Sequence, residues 1–253
     1  FDSSAGSFLF THKVAFSWLL HDLERNLTLA LPLLSPAERR RPSPAEGTSP
    51  TDSPPGETRV FPALRGDTAG LEPLGAGKGI FIGANPGSAW LTKRWPRDHW
   101  ARLISDLAGS YSTKVVLVGG KDEMEWNAGI ERAAAPGSVL NLTGRTGIAE
   151  LMALIKGLKL FITNDSGPMH IAVAFGVPVA AIFGPTTREL GFFPYGRNNM
   201  VLEEDLPCRP CALHGSKSCP RGHFLCMRLV TPDKVGAAAK HILRSAGITE
   251  TQA

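Results

Sequence analysis

The stretch Leu160 to Thr187, LFITNDSGPMHIAVAFGVPVAAIFGPTT, decides the fold. Two short apolar runs, Leu160 to Thr163 and Pro178 to Gly184, flank a segment that suits a helix over Met169 to Phe175. Strand, helix, strand at this spacing reads as parallel strands joined by a crossover. The pattern repeats toward the N-terminus. Val139 to Leu142 reads as a strand leading through Gly144 into a helix carrying Ile148, Leu151, Met152 and Ile155. KVVLVGG, Lys114 to Gly120, precedes a helical stretch from Asp122 to Ala134. GIFIG, Gly79 to Gly83, comes before a helix opened by Pro96 with Trp100, Leu103, Ile104 and Leu107 on its buried face. Five apolar runs alternating with amphipathic helices predict an α/β fold built on a Rossmann-like, doubly wound parallel sheet.

The remaining sequence narrows the class. With 253 residues, 43% hydrophobic and 20% charged, the chain has room for one large or two small domains and is neither collagen-like, coiled-coil nor wholly disordered. No run approaches 18 apolar residues, so no transmembrane helix is expected. FDSSAGSFLFTH lacks the basic start and long apolar core of a secretory signal. The chain opens on Phe1 rather than Met, so an upstream or processed start is expected. A net charge of +4 is mild, and suits anionic ligands better than a nucleic-acid stripe.

Residues 36–56, PAERRRPSPAEGTSPTDSPPG, hold six prolines and no Val, Ile, Leu, Met or aromatic residue. Such a segment buries too little apolar surface to offset its ordering entropy, and residues 36–77 are expected to be a linker or disordered loop. Its run Arg39, Arg40, Arg41 reads as solvated charge. Within residues 1–35, Leu19, Leu20, Leu23 and Leu27 lie at helical spacing ahead of Pro32. The regular pattern occupies residues 78–246, and residues 247–253 read as a tail.

Doubly wound sheets bind ligands outside the carboxyl ends of their strands. After the first strand come Asn85, Pro86, Gly87 and Ser88, then Lys93 and Arg94. Small residues, a hydroxyl, free N–H groups and an ammonium suit a pyrophosphate, although a plain turn over Trp95 would also fit. After the fourth strand, Pro168 sets Asp165, Ser166 and Gly167 at a helix N-terminus, with His170 one residue beyond Met169. Asp165 is equally suited to capping the helix, and His170 to an interior position. Gly184-Pro185-Thr186-Thr187 is a third polar loop. Two rival nucleotide motifs fail. NPGS is not the GxGxxG of a dehydrogenase, and in GAGKG, Gly75 to Gly79, the Lys precedes Gly rather than Ser or Thr.

GANPGSAWLTKRWP, TNDSGPMHIAVAFGVPVAAIFGPT and CRPCALHGSKSCPRGHFLCM, in that order, resemble the ADP-heptose:lipopolysaccharide heptosyltransferases of glycosyltransferase family nine, nearest the type II members. The resemblance runs from about Lys78 to Leu243 and implies the donor-binding half of a GT-B fold, with residues 1–35 as a remnant of an incomplete acceptor domain. It implies that Ser88 and Lys93 hold a donor diphosphate. Asp165, Ser166, Gly167 and His170 would contact diphosphate and sugar, and Asp122 or Glu123, with Glu123 the choice, the ribose hydroxyls. Thr146 and Leu151 would fall near the adenine. The implied reaction is an inverting transfer of heptose from ADP-heptose to the lipid-A-linked core oligosaccharide, in the cytoplasm at the inner face of the inner membrane. No cofactor is required and no nucleic acid is a partner. The family's base is an acceptor-domain Asp after a strand and glycine-rich loop, a pattern not found before residue 78. The chain is therefore expected to be truncated and inactive alone, the alternative being a non-catalytic ADP-sugar-binding module or remnant.

Cys208, Cys211, Cys219 and Cys226 lie within 19 residues of one another, with His214 and His223 between them. CxxC followed by two further cysteines suits a structural thiol cluster or a structural zinc, although the later pair is spaced more widely than in most zinc sites; disulfides are the third option.

Overall fold

The computed structural model describes residues 81–251. The helix of Leu19 to Leu27, the proline-rich segment and the start of the GIFIG run lie outside them. Six strands form one parallel sheet: β1 (Ile82–Asn85), β2 (Val115–Leu117), β3 (Val139–Asn141), β4 (Leu160–Asn164), β5 (Val179–Ile182) and β6 (Met200–Leu202). Their spatial order is β3-β2-β1-β4-β5-β6. The chain crosses back over the sheet between β3 and β4, so β1 and β4 are neighbours although they stand far apart in sequence. Asn85 at the end of β1 is in register with Thr163 of β4. This crossover is the place where such sheets open a crevice beyond their strand ends.

Side chains alternate across the sheet, as strand geometry requires. Ile82, Ala84, Val115, Leu117, Leu160, Ile162 and Ile182 face one layer. That layer holds α1 (Arg97–Tyr111), α2 (Met124–Ala133) and α6 (Pro232–Ser245). Val116, Phe161, Val179, Ala181 and Phe183 face the other, beside α3 (Ile148–Lys156) and α4 (Gly167–Ala174). Helix α1 buries Trp100, Leu103, Ile104 and Leu107, the stripe expected from spacing. Trp95, just ahead of it, is fully buried, stacks edge-on against Trp100 and donates from Nε1 to the Val230 carbonyl at 2.7 Å.

Several elements differ from expectation. β1 begins at Ile82 rather than Gly79, since its pairing with β2 and β4 starts there. Of the apolar residues named for α3, Ile155 is buried with Ala153 and Leu154, while Ile148 is 66% exposed. The stretch after β2 opens as a 3-10 turn, Lys121–Glu123, before α2. β6, the short α5 (Leu225–Arg228) and α6 were not anticipated. Helix α6 carries a clear start signal: Thr231 Oγ1 accepts from the Lys234 N–H at 3.2 Å, and Pro232 occupies the first turn. Among the described residues no helix is long and apolar enough to cross a membrane.

Candidate functional site

The loops after β1 and β4 are sewn together at the crossover. Buried Asn164, last residue of β4, donates from Nδ2 to the Pro86 carbonyl at 2.7 Å and accepts the Trp95 N–H at 3.3 Å. Asn85 Nδ2 returns the contact, donating to Ser166 Oγ at 2.8 Å. Each asparagine ends a strand with its amide turned across to the other loop. The backbone of Pro86 to Ser88 is thereby held against the start of α4. Arg94 Nε donates to the Ser88 carbonyl at 2.9 Å, and Arg94 and Arg97 both lie over the Trp126 ring.

Lys93 closes a 3-10 turn, Leu91–Lys93, and reaches inward. Its ammonium is 2.6 Å from Asp165 Oδ2, with the two side chains only 9% and 6% exposed. The same Oδ2 accepts the Thr186 hydroxyl at 2.7 Å. Asp165 therefore does not cap α4; Ser166 holds the cap position, and no side chain bonds there. Burying two charges costs several kcal/mol per ion unless they are paired, which fixes Lys93 to Asp165. An ammonium has three donors, so Lys93 keeps two for a ligand.

Thr186 is anchored in turn. The Arg209 guanidinium donates to the carbonyls of Gly184, Glu204 and Thr186 and pairs with Glu203 Oε2 at 2.7 Å. Arg209 thus clamps the loop after β5, and through Thr186 it fixes the carboxylate that fixes Lys93.

Ser88, Lys93, Asp165, Ser166, Gly167 and His170 all line one cavity of about 220 Å³, together with Ala89, Trp90, Phe192 and His214. The N-terminal turn of α4 faces it. Pro168 has no N–H and the Met169 N–H donates to the Ser166 carbonyl at 3.2 Å, so the Gly167 N–H and the positive end of the helix dipole are what favour an anion there. Every residue expected at the diphosphate is thus brought together. Glu123 lies in an adjoining cavity of about 270 Å³, with Gly87, Gly119, Gly120, Thr146 and Leu151 among its walls. The two spaces share Ser88, Ala89, Ser166 and Gly167.

Glu123 folds back so that Oε2 accepts the Gly120 N–H at 2.9 Å. A methyl group on Gly87 or Gly119 would run into its carboxylate, so glycine at those positions leaves the space it fills. Burial pushes the Glu123 carboxyl above its ordinary 4.5, helped by Asp122 and opposed by the Gly120 N–H and Arg94. Asp122, the other acid considered for this role, is not among the residues lining either cavity. Sequence reasoning gives no role to Asn164 or Arg209, names Asn85 only as part of the loop after β1, and names His214 only among the cysteines. The asparagines are legible as polar residues ending buried strands, whereas nothing local marks the other two.

All four cysteines are free thiols. Cys208 Sγ lies 4.0 Å from His223 Nε2, and among the described residues no group of three or more His, Cys, Asp or Glu is disposed to hold a metal ion. The thiols do not fit a zinc site as arranged. Burial raises the Cys226 thiol to about 11. Burial also acts to raise Cys219, but the backbone N–H groups of Phe224, Arg221, Gly222 and His223 outweigh it and hold that thiol below its ordinary value.

Comparison with known proteins agrees with this architecture. Lipooligosaccharide heptosyltransferase 2 of Campylobacter jejuni is 35% identical over 167 residues, covering 65% of this chain and 51% of that protein. Lipopolysaccharide heptosyltransferase 2 of Escherichia coli K12 is 38% identical over 114 residues, 43% of this chain and 32% of that one. The chain therefore spans about half the length, or less, of these relatives. The solved structure of E. coli ADP-heptose LPS heptosyltransferase II superposes with a TM-score of 0.57 at 26% identity, covering 67% of this chain and 48% of the other. The sheet and its helices thus form a Rossmann-like α/β unit corresponding to about half of the GT-B fold of that heptosyltransferase. Residues 2–220 match the model of glycosyltransferase family 9 (heptosyltransferase), and the chain belongs to that family.

Proposed function

We propose that the two joined cavities bind ADP-heptose as the donor for heptose transfer to the inner core of lipopolysaccharide. The observation that carries this reading is the convergence of the Lys93 ammonium, Ser88 and the N-terminus of α4 on one cavity, with the Glu123 carboxylate one loop away. The diphosphate takes the first and the ribose the second, since a carboxylate accepts from vicinal hydroxyls. Thr146 and Leu151 then flank the base.

The chemistry is governed by charge. Displacement at the anomeric carbon breaks the bond to the diphosphate, and the departing ADP gains negative charge. The two free N–H groups of Lys93 and the end of α4 lie where that charge develops, and donors already in place lower such a barrier most effectively. Asp165 is a positioning residue in this scheme: it is bound to Lys93 and Thr186 and is not available as the base that takes the acceptor's proton. Among the described residues lining the Lys93 cavity it is the only carboxylate. The base is assigned to the acceptor side, and these 253 residues are expected to bind donor without transferring heptose unaided. A lipid-linked acceptor would place the protein in the cytoplasm at the inner face of the inner membrane.

Calorimetric titration with ADP, GDP and UDP tests the donor reading, with ADP expected to bind most tightly. Equal affinities, or no binding, would overturn it. Heptose transfer measured on the chain alone separates an enzyme from a binding module, and turnover would refute the assignment of the base.

A further inference from the structure

The cysteine-rich segment does more than pack against the domain. Ser216 is locked to Thr92, one residue before Lys93: the Ser216 N–H donates to Thr92 Oγ1 at 2.8 Å, and the Thr92 hydroxyl and N–H donate to the Ser216 carbonyl at 2.9 and 3.2 Å. Gly215, at φ +101°, lies flat on the same turn; a Cβ there would come 2.8 Å from Trp90 Cβ and 3.3 Å from Lys93 Cγ. Both the backbone conformation and the space exclude other residues. The result is that His214 becomes part of the Lys93 cavity wall, its ring 5.6 Å from that of Phe192.

The position of His214 along the site is informative. Ser88, Ala89, Ser166 and Gly167 line both cavities, whereas Trp90, Lys93, His170, Phe192 and His214 line only the one that lacks Glu123. With the nucleoside at Glu123, the diphosphate crosses the shared walls, and the group attached to its far end meets His214. Imidazole offers both a donor and an acceptor to hydroxyls, and the faces of Trp90 and Phe192 suit the apolar face of a pyranose ring.

We propose that His214 contacts the sugar of the bound donor, and that the Thr92–Ser216 clasp is what holds it there. This rests on the donor reading above, so the test separates the two. The full 253-residue chain, wild type and His214→Ala, is titrated with AMP, ADP and ADP-heptose. The variant is expected to bind AMP and ADP as the wild type does and to lose about tenfold in affinity for ADP-heptose. Thr92→Val, which removes the two hydroxyl bonds of the clasp, keeps the backbone one and leaves the imidazole, is expected to weaken ADP-heptose in the same selective way by a smaller factor, and the double variant to lose no more than His214→Ala alone. Unchanged ADP-heptose affinity in His214→Ala overturns the proposal. So does a loss shared equally by ADP and ADP-heptose, which would put the contact on the diphosphate. If Thr92→Val binds normally while His214→Ala does not, the contact stands and the role of the clasp falls. A wild-type chain that binds none of the three overturns the donor reading itself.

Discussion

The two halves of the site solve opposite problems. Around Lys93 the difficulty is charge: an ammonium and a carboxylate sit almost out of water, and the carboxylate is tied further, through Thr186, to Arg209. Around Glu123 the difficulty is room. A single carboxylate turns back over Gly87, Gly119 and Gly120, held by one backbone N–H. The first region is expensive to disturb because a buried charge left without its partner costs far more than the pair contributes. The second tolerates change, because the group facing the glycines is the end of a flexible side chain. Binding and stability should therefore separate between the two regions.

The largest effect should come from Lys93→Met, which leaves Asp165 buried with only the Thr186 hydroxyl. A loss of about 3 kcal/mol in urea denaturation is expected, along with about a hundredfold in ADP affinity. If stability stays at the wild-type value, the ion pair does not define this half. Arg209→Met touches no ligand but strips three carbonyls of their donor. It should cost about 2 kcal/mol, and ADP binding should weaken while AMP binding is largely kept. Loss of both in equal measure would show general unfolding rather than misplacement of Asp165.

Glu123→Gln should sharpen the contrast from the other side: melting temperature unchanged, and about tenfold weaker binding of AMP and ADP alike. It also carries a pH signature. On the proposed donor reading the ribose hydroxyls need the ionised carboxylate, so nucleotide affinity is expected to be full above the raised pKa and to fall as pH drops through it, starting at a higher pH than an ordinary carboxyl at 4.5 would give. The stability contribution has the opposite sign. A folded-state pKa above the unfolded one favours the protonated fold, so this contribution declines as pH rises through the same window. Calorimetric titration of AMP across that window, with Glu123→Gln flat where the wild type bends, is the measurement.

How much of this is written in the chain depends on the distance over which each feature is specified. β4, α4 and β5 are local and strongly patterned, so Leu160 to Thr187 can be read almost residue for residue. Ser88, Lys93, Asp165, Ser166, Gly167 and His170 can be picked out as lining one cavity because they sit in the loops and first helical turns beyond the ends of β1 and β4, where the sheet architecture says to look, whereas Glu123 is singled out by the family resemblance. β6 escapes because three residues, Met200 to Leu202, are too few to show a period, and its existence depends on pairing with β5. Apolar spacing alone does not say which of Ile148, Leu151, Met152 and Ile155 meets the sheet, and only Ile155 of the four is fully buried. Arg209 and His214 belong to a segment dominated by its cysteines. Their placement depends on contacts with the loop after β5 and, through Ser216, with Thr92, which no local signal carries.

The Thr92–Ser216 clasp joins positions 124 apart in sequence. Contacts that span so much chain reward the chain only after the intervening segments are in place, and they release at little cost when those segments loosen. The cavity wall that carries His214 is therefore expected to be completed late in folding and to open before the sheet does. A chain whose sheet is formed but whose clasp is open would still recognise the nucleotide while no longer enclosing the sugar the nucleotide carries. In hydrogen exchange, the Ser216 amide should accordingly exchange well before those of β1 and β4, and its protection should rise when a donor with its sugar attached is bound.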